Sequence, residues 1–92
     1  MDVHHESGDR GEFFLIENGK KIGILSYKML SPEFMIIEST YVSPAHREHG
    51  YGHHMIQAAV AHAREHKIKI DTTCSFVRRV FYESDKYNDV TI

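Results

Sequence analysis

Residues 43–54, which read SPAHREHGYGHH, hold two glycines, one arginine and four histidines. These residue types suit two different ligands. Glycines let backbone amides come close to a phosphate, and an arginine adds a charged donor. Histidines at short spacing are instead typical zinc ligands. Which ligand fits better depends on the elements that hold the stretch in place.

The zinc hypothesis rests on two histidine pairs, His49 with His53 and His62 with His66, each four residues apart. Such spacing puts two imidazoles on one face when both lie in a helix. His49, however, precedes the predicted helix, and His62 and His66 flank Glu65 on the face predicted to be solvated. No further Cys or His group stands at a known zinc spacing. We therefore expect no metal, and a histidine-based metal-binding protein is the least favoured alternative.

Apolar periodicity predicts the elements before and after this loop. Strands are predicted at 12–17, 21–30 and 33–42, with an Asn18-Gly19 hairpin turn between the first two. Apolar residues at helical spacing predict an amphipathic helix over 51–66. The C-terminal part then reads as a strand in KIKIDTTCS, a short helix in FVRRVFYES and a last short strand in KYNDVTI.

The third strand is predicted to be central. Strict alternation places Met35, Ile37, Ser39 and Tyr41 on one face, and both faces are largely apolar, as in a strand covered on both sides. The strand, loop, helix and strand that follow form a βαβ unit with a right-handed crossover. Ligands of open α/β sheets gather at the carboxyl ends of strands, which is where the glycine loop lies.

Phosphate binding by this loop would use backbone amides. The first amides of a helix lack internal partners and carry the positive end of the helix dipole. Gly50 and Gly52 would let the amides of Gly50, Tyr51, Gly52 and His53 point at a pyrophosphate, while Arg47 adds a charged donor. If only the glycine spacing is considered, the alternative is that the two glycines make a tight connection and bind no ligand.

Length and composition restrict the remaining classes. The 92 residues predict one domain, 1–92, whose polar first ten residues are expected to be flexible. A net charge of −2 without a long basic run argues against nucleic acid. No stretch approaches the ~20 apolar residues of a membrane span, and the N-terminus lacks a signal-peptide core. A single cysteine fits a reducing, cytoplasmic setting.

The segment Arg47–Gly52 matches the R/Q-x-x-G-x-G/A pattern of the GNAT (GCN5-related) N-acetyltransferases. The stretches TYVSPAHREHGYG, AHAREHKIKI, TCSF and KYNDV together resemble very small stand-alone members of that family. The resemblance implies an α/β (α+β) fold, a minimal GNAT fold with a mixed antiparallel sheet of about five strands. It also implies a central strand-loop-helix that binds acetyl-CoA, a second C-terminal helix, and transfer of an acetyl group to an amine.

The resemblance also implies where acetyl-CoA lies. The cofactor would occupy a splay between the strand that ends at Val42 and the strand that ends near Cys74. Its pantetheine would pair with the backbone near Tyr41 and Val42, and a backbone amide near Val42 could serve the oxyanion. Its pyrophosphate would sit on residues 50–53, with His49 in the same loop.

Two residues are candidates for catalysis. Small relatives carry a cysteine like Cys74 in a C-S-F/Y motif, where it would be a nucleophile, a proton donor to the CoA thiolate or a pocket wall. A small buried hydrophobe is the structural alternative. Ser39 stands where many relatives carry a histidine, so the resemblance gives no Cys–His pair. Glu38 is either a general base acting through water or half of a salt bridge.

The acceptor side is predicted to be open. Larger relatives place helices between their first two strands, whereas this chain has only the Asn18-Gly19 turn. An open, shallow acceptor site suits a protein lysine, a peptide terminus or a polyamine. The same architecture equally suits a non-catalytic module that binds or senses acetyl-CoA, and this alternative stays open.

Overall fold

A mixed five-stranded sheet in the order β1-β2-β3-β4-β5 forms the framework of the computed structural model, which describes residues 1–92. The strands are β1 (His4–Glu6), β2 (Arg10–Glu17), β3 (Lys20–Ser31), β4 (Phe34–Val42) and β5 (Lys69–Thr72). The first four are antiparallel neighbours, and β5 pairs parallel with β4. The helices are α1 (Tyr51–His66) and α2 (Ser75–Tyr82), with single 3-10 turns at Pro44–His46 and Asp85–Tyr87.

The connections of the sheet follow the turn chemistry of the sequence. Asn18 and Gly19 have φ values of 52° and 78°, the two positive angles that a tight I′ hairpin turn requires. Helix α1 has the predicted bounds, and it ends at Lys67 in the left-handed conformation. The predicted strand in the tail is reduced to one bridging residue, Thr91, opposite Ile70. None of the helices has the length and apolar character needed to cross a membrane.

Strand β1 forms within residues 1–10, for which the sequence predicts flexibility. Its three residues are polar and exposed, so no apolar alternation signals a strand. Backbone pairing with β2 holds it, together with two stacked ring pairs. The His5 ring lies 4.0 Å from that of Phe13, and the His4 ring lies 5.4 Å from that of Phe14. The sequence did not predict this strand, and the flexibility of residues 1–10 stays a prediction.

A β-bulge in β4 decides which side chains of this strand reach the helices. Ser39 pairs with Ser26, but the next pair joins Ile37 to Tyr27, so Glu38 is an extra residue. The alternation shifts at this point. Ile37 is fully buried before the bulge, whereas Tyr41 is 49% exposed after it. The strict alternation predicted from the sequence is wrong beyond Ile37, because a bulge depends on the partner strand as well as on the bulged one.

The helices cover one face of the sheet. Both lie on the face that carries the core, and the ring of Phe76 in α2 packs directly on Gly52 in α1. On the opposite face, Ile24 and Ile36 stay half-exposed. The prediction that the third strand is covered on both sides is wrong, because a two-residue turn joins β2 to β3 and supplies no helix for the second face. The buried residues are Phe13, Leu15, Ile22, Leu25, Tyr27, Met35, Ile37, Met55, Ile56, Ala59, Val60, Ala63, Ile68, Ile70, Val77, Tyr87 and Val90.

Three histidines join β1 to α1 at the far end of the helix from the glycine loop. The His5 ring lies 4.6 Å from that of His62, which lies 4.4 Å from that of His66. His5 Nε2 is 2.5 Å from the hydroxyl of Tyr27. The sequence predicts that the helix face carrying His62 is solvated. His62 is instead half-buried, because β1 packs on it.

This histidine cluster predicts a loss of stability in mild acid. Although His5 is exposed as a whole, its ring is partly covered by Phe13 and His62. This partial burial, and then the charges of His62 and His66, lower the pKa of His5 from 6.5. Burial and His66 lower the pKa of His62, against an opposing effect of Glu65. Below pH 6.5 the unfolded chain therefore binds more protons than the folded one, so the free energy of unfolding falls as pH falls. We expect the urea midpoint to decrease between about pH 7 and about pH 5.

A double variant provides the control for that experiment. His5→Asn with His62→Asn keeps polar side chains but removes both titrating groups, so the decrease should become shallower. An equally steep decrease in the double variant, or a flat midpoint in the wild-type protein, would contradict this account of the cluster.

Candidate functional site

Strands β4 and β5 separate after a short parallel ladder. Residues Phe34–Ile37 pair with Lys69–Thr72, and the amide of Thr73 donates the last bond to the carbonyl of Ile37, at 3.1 Å. Beyond this point β4 runs on to Val42, while the other chain turns into α2. One edge of residues 38–42 therefore has no strand partner. The resulting opening lies where the resemblance implies a splay.

A cavity of about 430 Å³ lies at the end of this opening. Strand β4, the following loop, the start of α1 and one ring of α2 all contribute to its wall. The lining residues are Thr40, Val42, His46, Arg47, Glu48, Gly50, Tyr51, Gly52, His53 and Phe76. The loop thus contributes mostly polar groups to the wall, whereas β4 contributes Thr40 and Val42 and α2 contributes the Phe76 ring.

The start of α1 presents unpaired amides to the cavity. Gly50, with φ at 74°, is the N-cap residue and offers no side chain to cap the helix. The first helical bond runs from the amide of His54 to the carbonyl of Gly50, at 3.1 Å. The amides of Tyr51, Gly52 and His53 consequently have no partner within the helix. No acidic residue occupies the first turn, so an anion can take this position.

Gly52 has a second role that its spacing in the sequence does not reveal. It is buried, and a Cβ added there would lie 2.8 Å from Cε2 of Phe76. The close approach of α2 to α1 therefore requires a glycine here, in addition to any ligand. The sequence places Gly52 on the apolar face of α1 but does not predict the Phe76 contact, because that ring comes from a different helix.

Two charged loop residues flank the amides with opposite signs. Arg47 is exposed, and its Nε donates to the carbonyl of Val42 at 3.0 Å, which ties the guanidinium to the end of β4. Its terminal nitrogens can still meet a phosphate. Glu48, with φ at 70°, contributes the one carboxylate of the cavity wall.

Two of the predicted cofactor residues do not line the cavity with their side chains. Tyr41 lies on the open face because of the bulge, and the exposed His49 packs near Tyr51, with ring centroids 5.5 Å apart. Four lining residues were not predicted. Thr40 and Phe76 carried a signal in their motifs, TYV and CSF. His46 and Glu48 lay within the quoted loop and carried no signal of their own.

Cys74 stands at the vertex of the opening as the N-cap residue of α2. Its backbone amide donates to Oγ1 of Thr72 at 3.0 Å, and its half-buried Sγ lies 3.7 Å from Oγ1 of Thr40. Burial raises the pKa of the thiol. The amide of Val77, the side chain of Thr40 and the amide of Phe76 favour the thiolate more strongly, so the pKa lies below its ordinary value of 9.0.

Thr72 holds the backbone on both sides of the opening by hydrogen bonds from a buried position. It is the buried polar residue of the chain, and its hydroxyl donates to the carbonyl of Ile37 at 2.8 Å. The same oxygen accepts from the Cys74 amide, and Arg78 donates to the Thr72 carbonyl at 3.0 Å. The last paired residue of β4 and the N-cap residue of α2 are thus tied to one side chain.

Glu38, the other catalytic candidate, is the bulged residue of β4 and lies on the open face. One oxygen accepts from Arg10 at 2.7 Å, and the other lies 3.8 Å from Nζ of Lys28. Its carboxylate neither lines the cavity nor hydrogen-bonds to Cys74. These contacts correspond to the salt-bridge alternative for this residue.

Across residues 1–92, no group of three or more His, Cys, Asp or Glu side chains could hold a metal ion.

Comparisons with known proteins agree on the family. Residues 12–90 match the model of the GCN5-related N-acetyl-transferase family. A GCN5-like protein from Staphylococcus aureus, solved in solution, has a TM-score of 0.74 and 26% identity, over 99% of this chain and 87% of that one. No curated protein matches the sequence.

Two larger proteins share the fold at lower identity. GCN5 of Tetrahymena has a TM-score of 0.68 and 15% identity, over 84% of this chain and 50% of that one. A GNAT family acetyltransferase of Elizabethkingia anophelis, crystallised with acetyl-CoA, has a TM-score of 0.64 and 15% identity, over 82% and 52%. The chain thus spans about half the length of these two proteins. By its sequence and its fold, the chain belongs to the GCN5-related N-acetyltransferases, a family of acyltransferase enzymes.

Proposed function

We propose that the protein transfers the acetyl group of acetyl-CoA to an amine. The observation that carries this proposal is the alignment of unpaired amides, a free strand edge and a thiol along one opening. The amides of Tyr51–His53 lie at one end, the free edge of residues 38–42 runs along it, and Cys74 stands at its vertex.

Each part of acetyl-CoA would meet a matching group. The pyrophosphate would accept from the amides of Tyr51, Gly52 and His53 and from Arg47, in an anion site built without a capping side chain. The pantetheine amides would pair with the free edge of β4, which supplies the donors and acceptors of a missing strand. The acetyl group would then lie near Thr40 and Cys74.

The reaction needs an amine, a base and an oxyanion site. The amine nitrogen attacks the thioester carbon, the carbon–sulfur bond breaks, and the CoA thiolate leaves with the electron pair. A backbone amide near Val42 would stabilise the oxyanion. In this direct route Cys74 would return a proton to the leaving CoA thiolate. In a covalent route the Cys74 thiolate would attack the acetyl carbon first and release CoA, and the amine would then attack the cysteine thioester and release the Cys74 thiolate. The lowered pKa of Cys74 supports either role.

Glu38 would act from the opposite face of the sheet. An amine that approaches from the open face meets Glu38 before it reaches the opening, and this carboxylate could accept the amine proton through water. Its ion pairs with Arg10 and Lys28 hold the carboxylate on that face.

The open face also suggests the class of acceptor. No helix covers it, and exposed Tyr41 and half-exposed Ile24 and Ile36 leave it shallow. A protein lysine, a peptide terminus or a polyamine can approach such a surface, where a mostly polar groove of about 460 Å³ lies beside Glu38. The same observation favours the second candidate, a module that binds acetyl-CoA without turnover. A reducing, cytoplasmic setting would keep the single thiol free under either function.

Turnover separates the two candidates. Release of CoA thiol is measured with acetyl-CoA and a panel containing a lysine peptide, a peptide with a free N-terminus and spermidine. We expect at least one amine to raise release well above hydrolysis by water. Release at the water rate with every amine would favour the binding module, and unchanged turnover in Glu38→Gln would remove that residue from the reaction.

Removing the charge of Glu48 is expected to increase the affinity for CoA. Its carboxylate faces the same cavity as the proposed phosphate site, so Glu48→Gln should tighten CoA binding about two- to fivefold at low salt. Glu65→Gln is the matched control, because Glu65 is exposed near the other end of α1. Calorimetric titration measures both. Equal effects of the two variants would place the phosphates elsewhere.

A further inference from the structure

Thr40 and Cys74 face each other across the opening, from two segments that no longer pair as strands. Their Oγ1 and Sγ atoms are 3.7 Å apart, within hydrogen-bond reach for sulfur. Thr40 also lines the cavity, so the contact lies at its wall rather than deep in the core. The strand ladder ends at Ile37, three residues earlier.

The bulge brings this hydroxyl to the thiol. Because Glu38 is an extra residue, Thr40 instead of Ser39 is directed toward Cys74, and Ser39 is exposed. The bulge thus selects which of two adjacent hydroxyl residues meets the thiol.

The groups that stabilise the Cys74 anion are all neutral. They are the amides of Val77 and Phe76 at the start of α2, and the hydroxyl and amide of Thr40. No histidine, lysine or arginine takes part. The Thr40 hydroxyl is therefore the one side chain among them, and the one that substitution can remove without changing the backbone.

We propose that Thr40 is the positioning residue of Cys74 and holds its sulfur at the vertex of the opening. The consequence of this positioning for catalysis rests on the proposed function. In the neutral state the S–H group donates to Oγ1. When the thiol loses its proton to water, the hydroxyl rotates and donates to the sulfur, since a hydroxyl can serve as donor or acceptor.

The test is the pH dependence of alkylation of Cys74 by iodoacetamide, followed by mass spectrometry without acetyl-CoA. Cys74 is the single cysteine, so the modification reports on one site. Thr40→Val keeps the shape but loses the hydroxyl, and we expect the midpoint of the rate profile to rise by about one pH unit. Thr40→Ser should keep the wild-type midpoint, and exposed Thr73→Val is the matched control next to the cysteine.

Two outcomes would overturn the proposal: an unchanged midpoint in Thr40→Val, or equal shifts in the Val and Ser variants. If Thr40→Val does not fold, a wild-type midpoint in a folded Thr40→Ala variant would overturn it as well. In the acetyl-transfer assay, Thr40→Val should lower kcat with little change in the KM for acetyl-CoA. Because alkylation needs no turnover, a shifted midpoint in a protein without transferase activity would refute the proposed function and leave the positioning role standing.

Discussion

Gly52→Glu is expected to weaken acetyl-CoA binding about a hundredfold or more. A Cβ at this position would lie 2.8 Å from the Phe76 ring, so the ring or the start of α1 must shift. The new carboxylate would also place a negative charge beside the amides proposed to hold the pyrophosphate. Together these effects amount to about 3 kcal/mol of lost binding free energy. Calorimetric titration with acetyl-CoA measures the loss.

Two variants separate the causes of that loss. Gly52→Ala introduces the steric clash without the charge and should cost about tenfold in affinity. Gln57→Glu introduces the charge on an exposed position of α1, further along the helix, and should have little effect. A thermal melt checks that each variant is folded. If Gly52→Glu is folded and binds as tightly as wild-type protein, the phosphate site is not at the start of α1.

Cys74→Ala is expected to lower kcat about a hundredfold while leaving the affinity for acetyl-CoA within about twofold. Loss of a positioned proton donor or nucleophile typically costs ~10²–10⁴ in rate. Binding should survive, because the proposed phosphate and pantetheine contacts lie on the loop and on β4. Steady-state release of CoA, together with a titration, gives both quantities.

The neighbour of the cysteine provides the control. Ser75→Ala alters an exposed residue of α2 and should leave kcat unchanged. If Cys74→Ala retained activity, the thiol would have no catalytic role and would only form part of the pocket wall. Transfer would then proceed by direct attack of the amine, with the proton of the leaving thiolate coming from water.

Local signals in the sequence predict the elements that carry the site. Apolar residues of α1 recur at helical spacing, and Asn18-Gly19 supplies the two positive φ angles of the hairpin. The strand β5 and helix α2 follow the predicted order. These features depend on residues close together in the chain, so a single sequence specifies them.

The features that the sequence did not predict depend on distant partners. The bulge at Glu38 arises from pairing with β3, and it moves Tyr41 to the open face and Thr40 to the thiol. The requirement for glycine at Gly52 comes from Phe76, a ring more than twenty residues away. Strand β1 has no apolar alternation because it stacks polar rings on β2. Long-range geometry of this kind leaves no periodic signal in the segment itself.

The central claim is that the opening between β4 and β5 binds acetyl-CoA with its phosphates on the start of α1. Titration of acetyl-CoA into the labelled protein, followed by the backbone amide NMR spectrum, tests it most directly. We expect the largest shifts at the amides of residues 50–53, with further shifts along 38–42 and at Cys74, and none at His62. An unchanged spectrum at millimolar acetyl-CoA, or shifts centred on the histidine cluster, would contradict the account.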